Sequence, residues 1–281
     1  MGIDVSVIVC CYNSEKLIET TLEHLANQKL PAQLDVEIIL VNNNSTDNTV
    51  GIAQLFWQNI KTKIPLSIVN EKRAGLAYAR KKGIFEAKGT YIIFCDDDNW
   101  LQENYVEVAY KLMKTHPEIG ALGGQAVGVL ETEEPLWWKD KCLGYAVGKQ
   151  AVNNGDISKR GFLWGAGMVM EKSKLTPLYE AGFNTLLLGR RGNVLSSGDD
   201  SEICKWMLLF GYKLWYCDSL QFIHYIVKKR LTDEYVKRLY AGHYKSQEIL
   251  SVYDWFLKSN VPKFVGNLTL KNRIYFFKKV L

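Results

Sequence analysis

Asp96-Asp97-Asp98 stands directly after the apolar run Tyr91–Cys95. Three adjacent carboxylates repel one another strongly unless a cation lies among them. Mg²⁺ and Mn²⁺ are bound through one or two carboxylates together with phosphate oxygens. In extended backbone Asp96 and Asp98 point to the same side, so both could serve one ligand. The alternative is a solvated acidic turn. A second acidic group, Asp199-Asp200 with Glu202, opens a helix pattern. Helix capping accounts for one such carboxylate. A further one in a cleft can act as a general base toward a hydroxyl. Arg73 and Arg80, with Lys72, Lys81 and Lys82, flank Gly75 at another helix start. Cations there could hold a diphosphate, or could form a solvated helix face. His224 ends the run Phe222–Tyr225 and could reach the site as a metal ligand, although a lone histidine is more often structural.

These groups need elements to hold them. Val5–Val9, Val36–Val41, Leu66–Val69 and Tyr91–Cys95 read as short buried strands. Between them the spacing predicts three helices. The first is capped by Asn13 or Ser14 and runs to about Gln28, the second is capped by Ser45 or Thr46, and the third spans Gly75–Ala87. Such alternation implies a mostly parallel α/β sheet, whose ligands bind beyond the carboxyl ends of the strands. Those ends, Cys10–Asn13, Asn42–Ser45 and Asp96–Asn99, are all polar. From Gly120 to Lys159 the pattern loosens, and Glu131–Trp138 reads as a loop or lid. Phe162–Met170, Tyr212–Tyr216 and Leu220–His224 read as strands, Gly189–Gly198 as a loop and Asp199–Phe210 as a helix. Thr232 is expected to cap a long helix ending near Lys258.

With 281 residues, 47% of them hydrophobic, the chain can build a sizeable core. No run of 18 apolar residues predicts a membrane span, and Met1–Cys10 lacks the features of a signal peptide. The six cysteines form no CxxC pair, which argues against a zinc site or redox dithiol and for buried thiols in a reducing cytoplasm. Residues 228–281 carry 12 Lys and Arg against 4 Asp and Glu, leaving 23 against 26 on the rest. That asymmetry points to an anionic partner for the C-terminal segment. Leu268–Leu281 mixes Lys271, Arg273, Lys278 and Lys279 with aromatic and aliphatic residues, a pattern that suits peripheral attachment of 261–281 to the inner face of a membrane. The alternative is packing on the catalytic domain or on a second subunit of a homodimer. Nucleic acid is not an expected partner.

Seven segments, in order, resemble glycosyltransferase family 2. They are Val5–Asn13, Val41–Asp47, Gly75–Arg80 with Gly83, Phe94–Asp98, Trp164–Met168, Leu188–Gly192 through Ser197–Glu202, and Gly211–Tyr216 followed by His224. The resemblance covers roughly residues 3–240. It implies a GT-A (Rossmann-like) fold: an α/β architecture with a mostly parallel central sheet flanked by helices, and here a helical C-terminal extension. It divides the chain into a catalytic domain, 1–227, with a nucleotide-sugar half at 1–125 and an acceptor half at 126–227, and a basic extension at 228–281. It implies inverting transfer from a nucleotide-diphosphate sugar, UDP-linked by expectation, to a hydroxyl of a glycan or lipid-linked acceptor in surface polysaccharide synthesis.

By the same resemblance Asp98, helped by Asp96 and His224, would hold Mn²⁺ or Mg²⁺ on the diphosphate. Asp200, beside Asp199, would be the base. Cys10, Tyr12, Asn13, Asn42 and Asn43 would line the base and ribose pocket, with Arg73, Arg80, Asp96 and Asp97 on the rest of the donor. Trp137, Trp138, Trp164, Arg190 and Arg191 would meet the acceptor, the tryptophans by stacking on sugar faces unless they serve as core or lid packing. Two departures stand out. Asn42 and Asn43 replace the family's acidic residue facing the base, and Asp199 replaces the glutamate of its GED motif. A sugar-nucleotidyltransferase should carry a Gly-rich loop after the first strand, and Cys11–Ser14 has no glycine. A dinucleotide-dependent oxidoreductase would need GxGxxG there. A non-catalytic carbohydrate-binding protein of the same fold would have no need to retain both acidic clusters.

Overall fold

The structure is a computed structural model that describes residues 2–190 and 195–259, together with 269, 271, 272, 274, 275 and 279. In chain order the elements are β1 Val5–Cys11, α1 Ile18–Ala26, β2 Val36–Asn42, α2 Thr49–Asn59, β3 Leu66–Asn70, α3 Leu76–Glu86, β4 Tyr91–Asp96 and β5 Asn99–Leu101. There follow α4 Tyr105–Thr115, β6 Ile119–Leu130, α5 Trp138–Lys141, β7 Gly155–Asp156, β8 Val169–Glu171, α6 Lys172–Glu180, α7 Asp199–Leu209, β9 Lys213–Ile226 and α8 Asp233–Lys258.

Among the described residues nine strands form one sheet in the order β3-β2-β1-β4-β8-β6-β9-β5, with β7 on β9. The four N-terminal strands are mutually parallel, β8 is antiparallel to both neighbours, and β6 and β9 run parallel. The sheet is buried on both faces, which explains why β1 reads as a continuous apolar run. Its side chains alternate between two cores. Val5, Val7 and Val9 face a layer with Leu22, Ala53 and Tyr105 from α1, α2 and α4. Ile8 and Cys10 face the opposite layer with Ala79, Leu175, Trp206 and Tyr253 from α3, α6, α7 and α8.

Several boundaries differ from expectation for identifiable reasons. Helix α1 starts at Ile18 because the Ser14 hydroxyl is donated to Asp97 rather than turned back as a cap. Helix α2 starts at Thr49 because Ser45 Oγ accepts from Asn13 N (3.0 Å) and Asn13 Oδ1 accepts from Thr46 N (2.8 Å), so the β1 and β2 end loops are tied together. Of the segment 162–170 only its end is strand; Gly161 and Gly167 have φ of 82° and 69°, and this run crosses the sheet edge as loop. The two strands expected over 212–224 are one, β9, whose extra residues are absorbed by a register shift between Gly123 and Gln125 of β6. Helix α4 and strand β6 were not anticipated, and β6 runs across the expected boundary between halves near residue 125. Helix α8 begins and ends as expected, with Thr232 Oγ1 accepting from Tyr235 N at 3.1 Å.

Five of the six cysteines are buried and all six are free thiols. Among the described residues no helix is long and apolar enough to cross a membrane. Most of the basic stretch 261–281 lies outside the described residues; within it Ile274 is buried in the core layer of α7 and α8.

Candidate active site

Register places the polar strand ends side by side: Cys11 is opposite Asn42, and Cys10 is opposite Asp96. Two tight turns in left-handed backbone, at Asn13 (φ 53°) and Asn44 (φ 64°), close the β1 and β2 ends. Asparagine tolerates that conformation better than most residues. Tyr12 is half-exposed between them. Cys10 is buried, and burial pushes its thiol well up against the lowering effect of Arg80, so it packs in the core rather than lining an open pocket.

The two asparagines differ in their engagement. Asn43 is buried; its Nδ2 donates to the Glu71 and Arg73 carbonyls (3.0 and 2.7 Å) and its Oδ1 accepts from Gly75 N at 2.8 Å. Asn43 therefore holds the loop leading into α3, and its amide hydrogens are not free for a base. Asn42 donates to Asn70 Oδ1 at 2.9 Å and accepts from Ser45 N at 3.0 Å, and it is partly exposed. Arg73 forms a fork with Glu71, Nε–Oε1 2.9 Å and Nη2–Oε2 2.7 Å, over the Tyr78 ring. That fork holds the Glu71 carboxyl below the usual range.

Arg80 is not an exposed diphosphate clamp. It is 2% exposed, lies in the face of α3 that packs on the sheet, and donates from Nη1 to Asp199 Oδ2 at 2.7 Å, with Nη2 3.5 Å from Asp96 Oδ1. A single guanidinium thus joins the end of β4 to the start of α7. A Cβ on Gly165 would lie 2.4 Å from Arg80 Nη2, so a side chain there would push the guanidinium from its place. Burial, with Asp200 and Asp96 adding to it, pushes Asp199 up to about 6 against the opposing pull of Arg80.

The three aspartates of the β4 end take three separate partners. Asp96 faces Arg80. Asp97 is held by the Ser14 hydroxyl, and its carbonyl accepts from Thr21 Oγ1 at 2.6 Å. Burial and the neighbouring Asp98 push Asp97 up to about 7. Asp98 turns to β9. Antiparallel pairing sets Asn99 opposite His224, and Tyr225 N donates to the Asp98 carbonyl at 2.9 Å. His224 Nε2 therefore lies 3.3 Å from Asp98 Oδ2, and Arg230 Nη1 donates to the same oxygen at 2.5 Å. Burial works against charge on Asp98, but His224 and Arg230 hold it well below the usual carboxylate range.

The donor chemistry at Asp98 suits a divalent cation. His224 Nε2 can donate to this Asp98 oxygen as the Nε2–H tautomer, whereas in the Nδ1–H tautomer the two atoms 3.3 Å apart are both acceptors and a cation can bridge them. His224 Nδ1 is buried without a hydrogen-bond partner. Carboxylate plus imidazole is a donor set that Mn²⁺ accepts, with phosphate oxygens or water completing it. Asp96 is engaged by Arg80, so the expected set of three is reduced to two; among the described residues no group of three or more His, Cys, Asp or Glu side chains is gathered.

Asp200 sits one residue inside the N-terminus of α7 and is partly exposed, whereas Asp199 is buried. Its Oδ2 accepts from Gly165 N at 2.6 Å and its Oδ1 from Ser201 N at 2.6 Å. Glu202 is buried and anchors the loop before α7: Oε2 accepts from Leu186 N and Leu187 N (2.9 and 3.1 Å), Oε1 from the Tyr253 hydroxyl at 2.7 Å. Helix α8 grips the same loop. His243 Nδ1 meets Ser197 Oγ at 2.8 Å, Ser246 Oγ donates to the Ser197 carbonyl at 2.7 Å, and a Cβ on Gly242 would lie 2.0 Å from the Leu195 carbonyl oxygen. The spacing 242, 246, 250, 253 is a helix face, a signal available in the sequence but not read as part of the site.

Of the three tryptophans, Trp164 stands beside Gly165, partly exposed, with the Arg160 guanidinium over its ring at 5.3 Å. Trp138 is 7% exposed in a cluster with Tyr145 and Val147, so it is a packing residue, unable to stack on a sugar. Trp137 stacks on Tyr145 and donates from Nε1 to Asp233 at 2.7 Å, bracing α8. Arg190 is exposed, at the end of a segment whose carbonyl accepts from Leu76 N at 3.2 Å. Arg191 lies outside the described residues. Arg230 belongs to the site although it was counted only as part of the basic C-terminal charge.

The sheet order, with acidic strand ends facing an acidic helix start, defines the GT-A class of nucleotide-sugar-binding folds. A family profile described as Glycosyl transferase family 2 matches residues 6–175, and the chain belongs to that family. It is 37% identical over 103 residues to the putative glycosyltransferase EpsH of Bacillus subtilis (strain 168), covering 37% of this chain and 28% of EpsH. It is 30% identical over 111 residues to the poly(ribitol-phosphate) beta-N-acetylglucosaminyltransferase TarS of Staphylococcus aureus, covering 40% of this chain and 19% of that protein. The matched segments thus span well under half the length of these curated relatives. The crystal structure of TarS 1-349 in complex with UDP-GlcNAc superposes with a TM-score of 0.65 at 18% identity, covering 96% of this chain and 69% of that one. The mannosyltransferase PcManGT from Pyrobaculum calidifontis, in complex with GDP-Man and Mn²⁺, gives 0.59 at 17% identity, covering 99% and 74%. At those identities the likeness concerns the fold.

Proposed function

We propose that this chain transfers a sugar from a nucleoside-diphosphate donor to a hydroxyl of a glycan or lipid-linked acceptor, with inversion at the anomeric carbon and with help from a divalent metal. The observation that carries the reading is the Arg80 bridge between Asp96 and Asp199. It fixes the cation-binding end of β4 and the helix bearing Asp200 to one another, so donor diphosphate and acceptor hydroxyl meet across a single rigid strut. Family membership and the named activities of EpsH, TarS and PcManGT support the same class.

In this reading Asp98 and His224 hold the metal, which when bound offsets charge on the leaving nucleoside diphosphate. Asp200 is the base. The acceptor oxygen forms a bond to the anomeric carbon, the carbon–phosphate-oxygen bond breaks on the opposite face, and the hydroxyl proton passes to Asp200. Hydrogen bonds from Ser201 N and Oγ to Oδ1 and from Gly165 N to Oδ2 fix the carboxylate while leaving Oδ2 a further lone pair. Trp164, beside Gly165, offers an aromatic face to the acceptor. Asn42 and Tyr12 border the base and ribose. The donor is a UDP-sugar by analogy with the UDP-GlcNAc complex of TarS, whose named acceptor, poly(ribitol-phosphate), is likewise a polymer that offers hydroxyl groups. The test is turnover against a panel of UDP- and GDP-sugars in Mn²⁺ and in EDTA, with the anomeric configuration of product read by NMR. Release of nucleoside diphosphate and an inverted product are expected. Retention of configuration, or no donor consumed with any acceptor, would overturn the reading.

A further inference from the structure

Arg160 stands on the acceptor side of the site without a carboxylate of its own. It ends the short turn Ser158–Arg160, and Gly161 (φ 82°) carries the chain from there toward Trp164 and Gly165. Its Nη1 donates to the Gln150 carbonyl, and its guanidinium packs over the Phe162 and Trp164 rings at 4.4 and 5.3 Å. The buried Gln150 side chain holds Trp164 as well: Oε1 accepts from Trp164 N at 2.8 Å, and Nε2 donates to the Gly124 carbonyl at 2.9 Å. Arg160 and Trp164 are thus fixed to one support on β6.

The acids of this region are engaged elsewhere. Lys205 Nζ donates to Asp254, and Lys213 lies 3.5 Å from Asp156. Among the described residues no carboxylate pairs with Arg160. Burial pushes the guanidinium below an ordinary arginine, and the groups that oppose this, Cys204 and Tyr216, are a thiol and a phenol. The Tyr216 hydroxyl is itself buried without a hydrogen-bond partner. Gly123 and Tyr216 are opposite in register, and a Cβ on Gly123 would lie 2.7 Å from Gln150 Nε2, so Tyr216 projects to the face that carries Gln150. Asp200 belongs to the same neighbourhood. Burial raises the Cys204 thiol, Asp200 adds to that, and Lys205 and Arg160 oppose it, so all three charges act on one sulfur a turn along α7 from Asp200. A half-buried cation held in place without a counter-charge is a costly arrangement unless an anion meets it.

We propose that Arg160 selects an acceptor bearing an oxyanion, a phosphate or a carboxylate, close to the hydroxyl presented to Asp200. The proposal rests on the glycosyltransferase reading above and names the acceptor class. The acceptor lies on Trp164 with its hydroxyl toward Asp200, and its oxyanion takes the N–H groups of Arg160 beyond the one given to Gln150. A planar guanidinium has five N–H donors, so one bond to a carbonyl leaves room for a two-oxygen contact. The anion also needs Arg160 on electrostatic grounds. An acidic acceptor brought toward Asp200 meets a second negative charge, and a fixed cation beside it offsets the repulsion. A neutral acceptor would give that cation nothing to bind.

The test is NMR titration of the intact chain, with the donor site saturated by UDP and Mn²⁺, against two pairs of compounds: ribitol and ribitol 5-phosphate, and methyl glucoside and methyl glucuronide. Wild type should bind the charged member of at least one pair about 10-fold more tightly than its neutral twin, the scale of a charge-assisted hydrogen bond. The pair that responds tells phosphate from carboxylate. Arg160→Gln should reduce the preference to less than about twofold with UDP affinity as in wild type, and Arg160→Lys, which keeps the charge but loses the fork, should fall between. Lys159→Gln, which removes the adjacent exposed charge, should leave the preference intact. Equal binding within both pairs by wild type, or an undiminished preference in folded Arg160→Gln, would overturn the proposal. If circular dichroism shows that Arg160→Gln does not fold, Arg160→Lys decides, and a preference as in wild type there overturns it. Failure of UDP to bind, with a charge preference that still depends on Arg160, would leave the anion site standing and overturn the glycosyltransferase reading instead.

Discussion

Arg80 Nη1 and Asp199 Oδ2 meet at 2.7 Å with both side chains at most 5% exposed. The pair sets two adjacent aspartates apart. Asp199 is the counter-charge of a buried strut, whereas Asp200 is partly exposed, as the proposed base must be. Asp200→Asn is expected to lower turnover by about 10²–10⁴ and leave nucleotide affinity nearly unchanged. Asp199→Asn should cost less turnover and more stability. Steady-state kinetics beside thermal unfolding would separate the two; a larger turnover loss in Asp199→Asn would reverse the assignment.

Removing the guanidinium is expected to be more damaging than removing its partner. Arg80→Ala leaves Asp199 charged in a buried site and frees β4 from α7. Breaking one side of a buried ion pair costs about 3–5 kcal/mol. Denaturant titration should show that loss, and Arg80→Lys should recover only part of it because a single ammonium cannot span Asp199 and Asp96. Wild-type stability in Arg80→Ala would mean that the strut is not a structural element.

The metal reading gives a binding measurement as well as an activity. Asp98→Ala and His224→Ala should each abolish the gain in nucleoside-diphosphate affinity that Mn²⁺ brings to wild type. Asp96→Asn should reduce that gain much less, because Asp96 faces Arg80. Equal Mn²⁺ dependence in all three variants and wild type would exclude Asp98 and His224 as ligands.

Glu202 predicts a pH effect of definite sign. Burial raises its pKa, against the lowering effect of Tyr253 and of the Leu187 and Leu186 N–H groups, to about 7 from the ordinary 4.5. A carboxyl raised on folding contributes stability that is full below about pH 4.5 and lost as pH rises through 7. Glu202→Gln has no such loss, and its oxygen can still accept from Leu186 N and Leu187 N. The stability of Glu202→Gln relative to wild type should therefore improve between pH 4.5 and 7, on the order of 2–3 kcal/mol. A pH-independent difference between the two proteins would refute the assignment.

Helix α8 holds the loop before α7, so Gly242→Ala tests the clasp. An added methyl would press on the Leu195 carbonyl. Displacement of the 195–198 segment should lower turnover several-fold while the helix content by circular dichroism is kept. Unaltered kinetics would show that the loop position does not depend on α8.

The sequence by itself determined the parallel half of the sheet, the polar strand ends and the acidic helix start. Each is a local pattern: apolar runs bounded by caps, or carboxylates immediately after a strand, and such patterns survive without knowledge of distant partners. It also put His224 at a strand end from which it could reach the site, and the family resemblance set it beside Asp98 and Asp96. What tertiary structure decided were the partners. Asp96, Asp97 and Asp98 look equivalent along the chain, yet Arg80, Ser14 and Arg230 claim one each across separations of 16, 83 and 132 residues. Arg80 reads as a donor contact because it lies in a basic helix start, and only packing of α3 on the sheet shows that the side facing the core holds it. Asn43 and Trp138 read as ligand contacts until the loop and the aromatic cluster around them are in place. Arg230 was one charge among twelve until the pairing of β5 with β9 carried the chain back to Asp98. Side-chain type is local information, but burial and pairing depend on which strands become neighbours, and that is settled by the whole sheet at once.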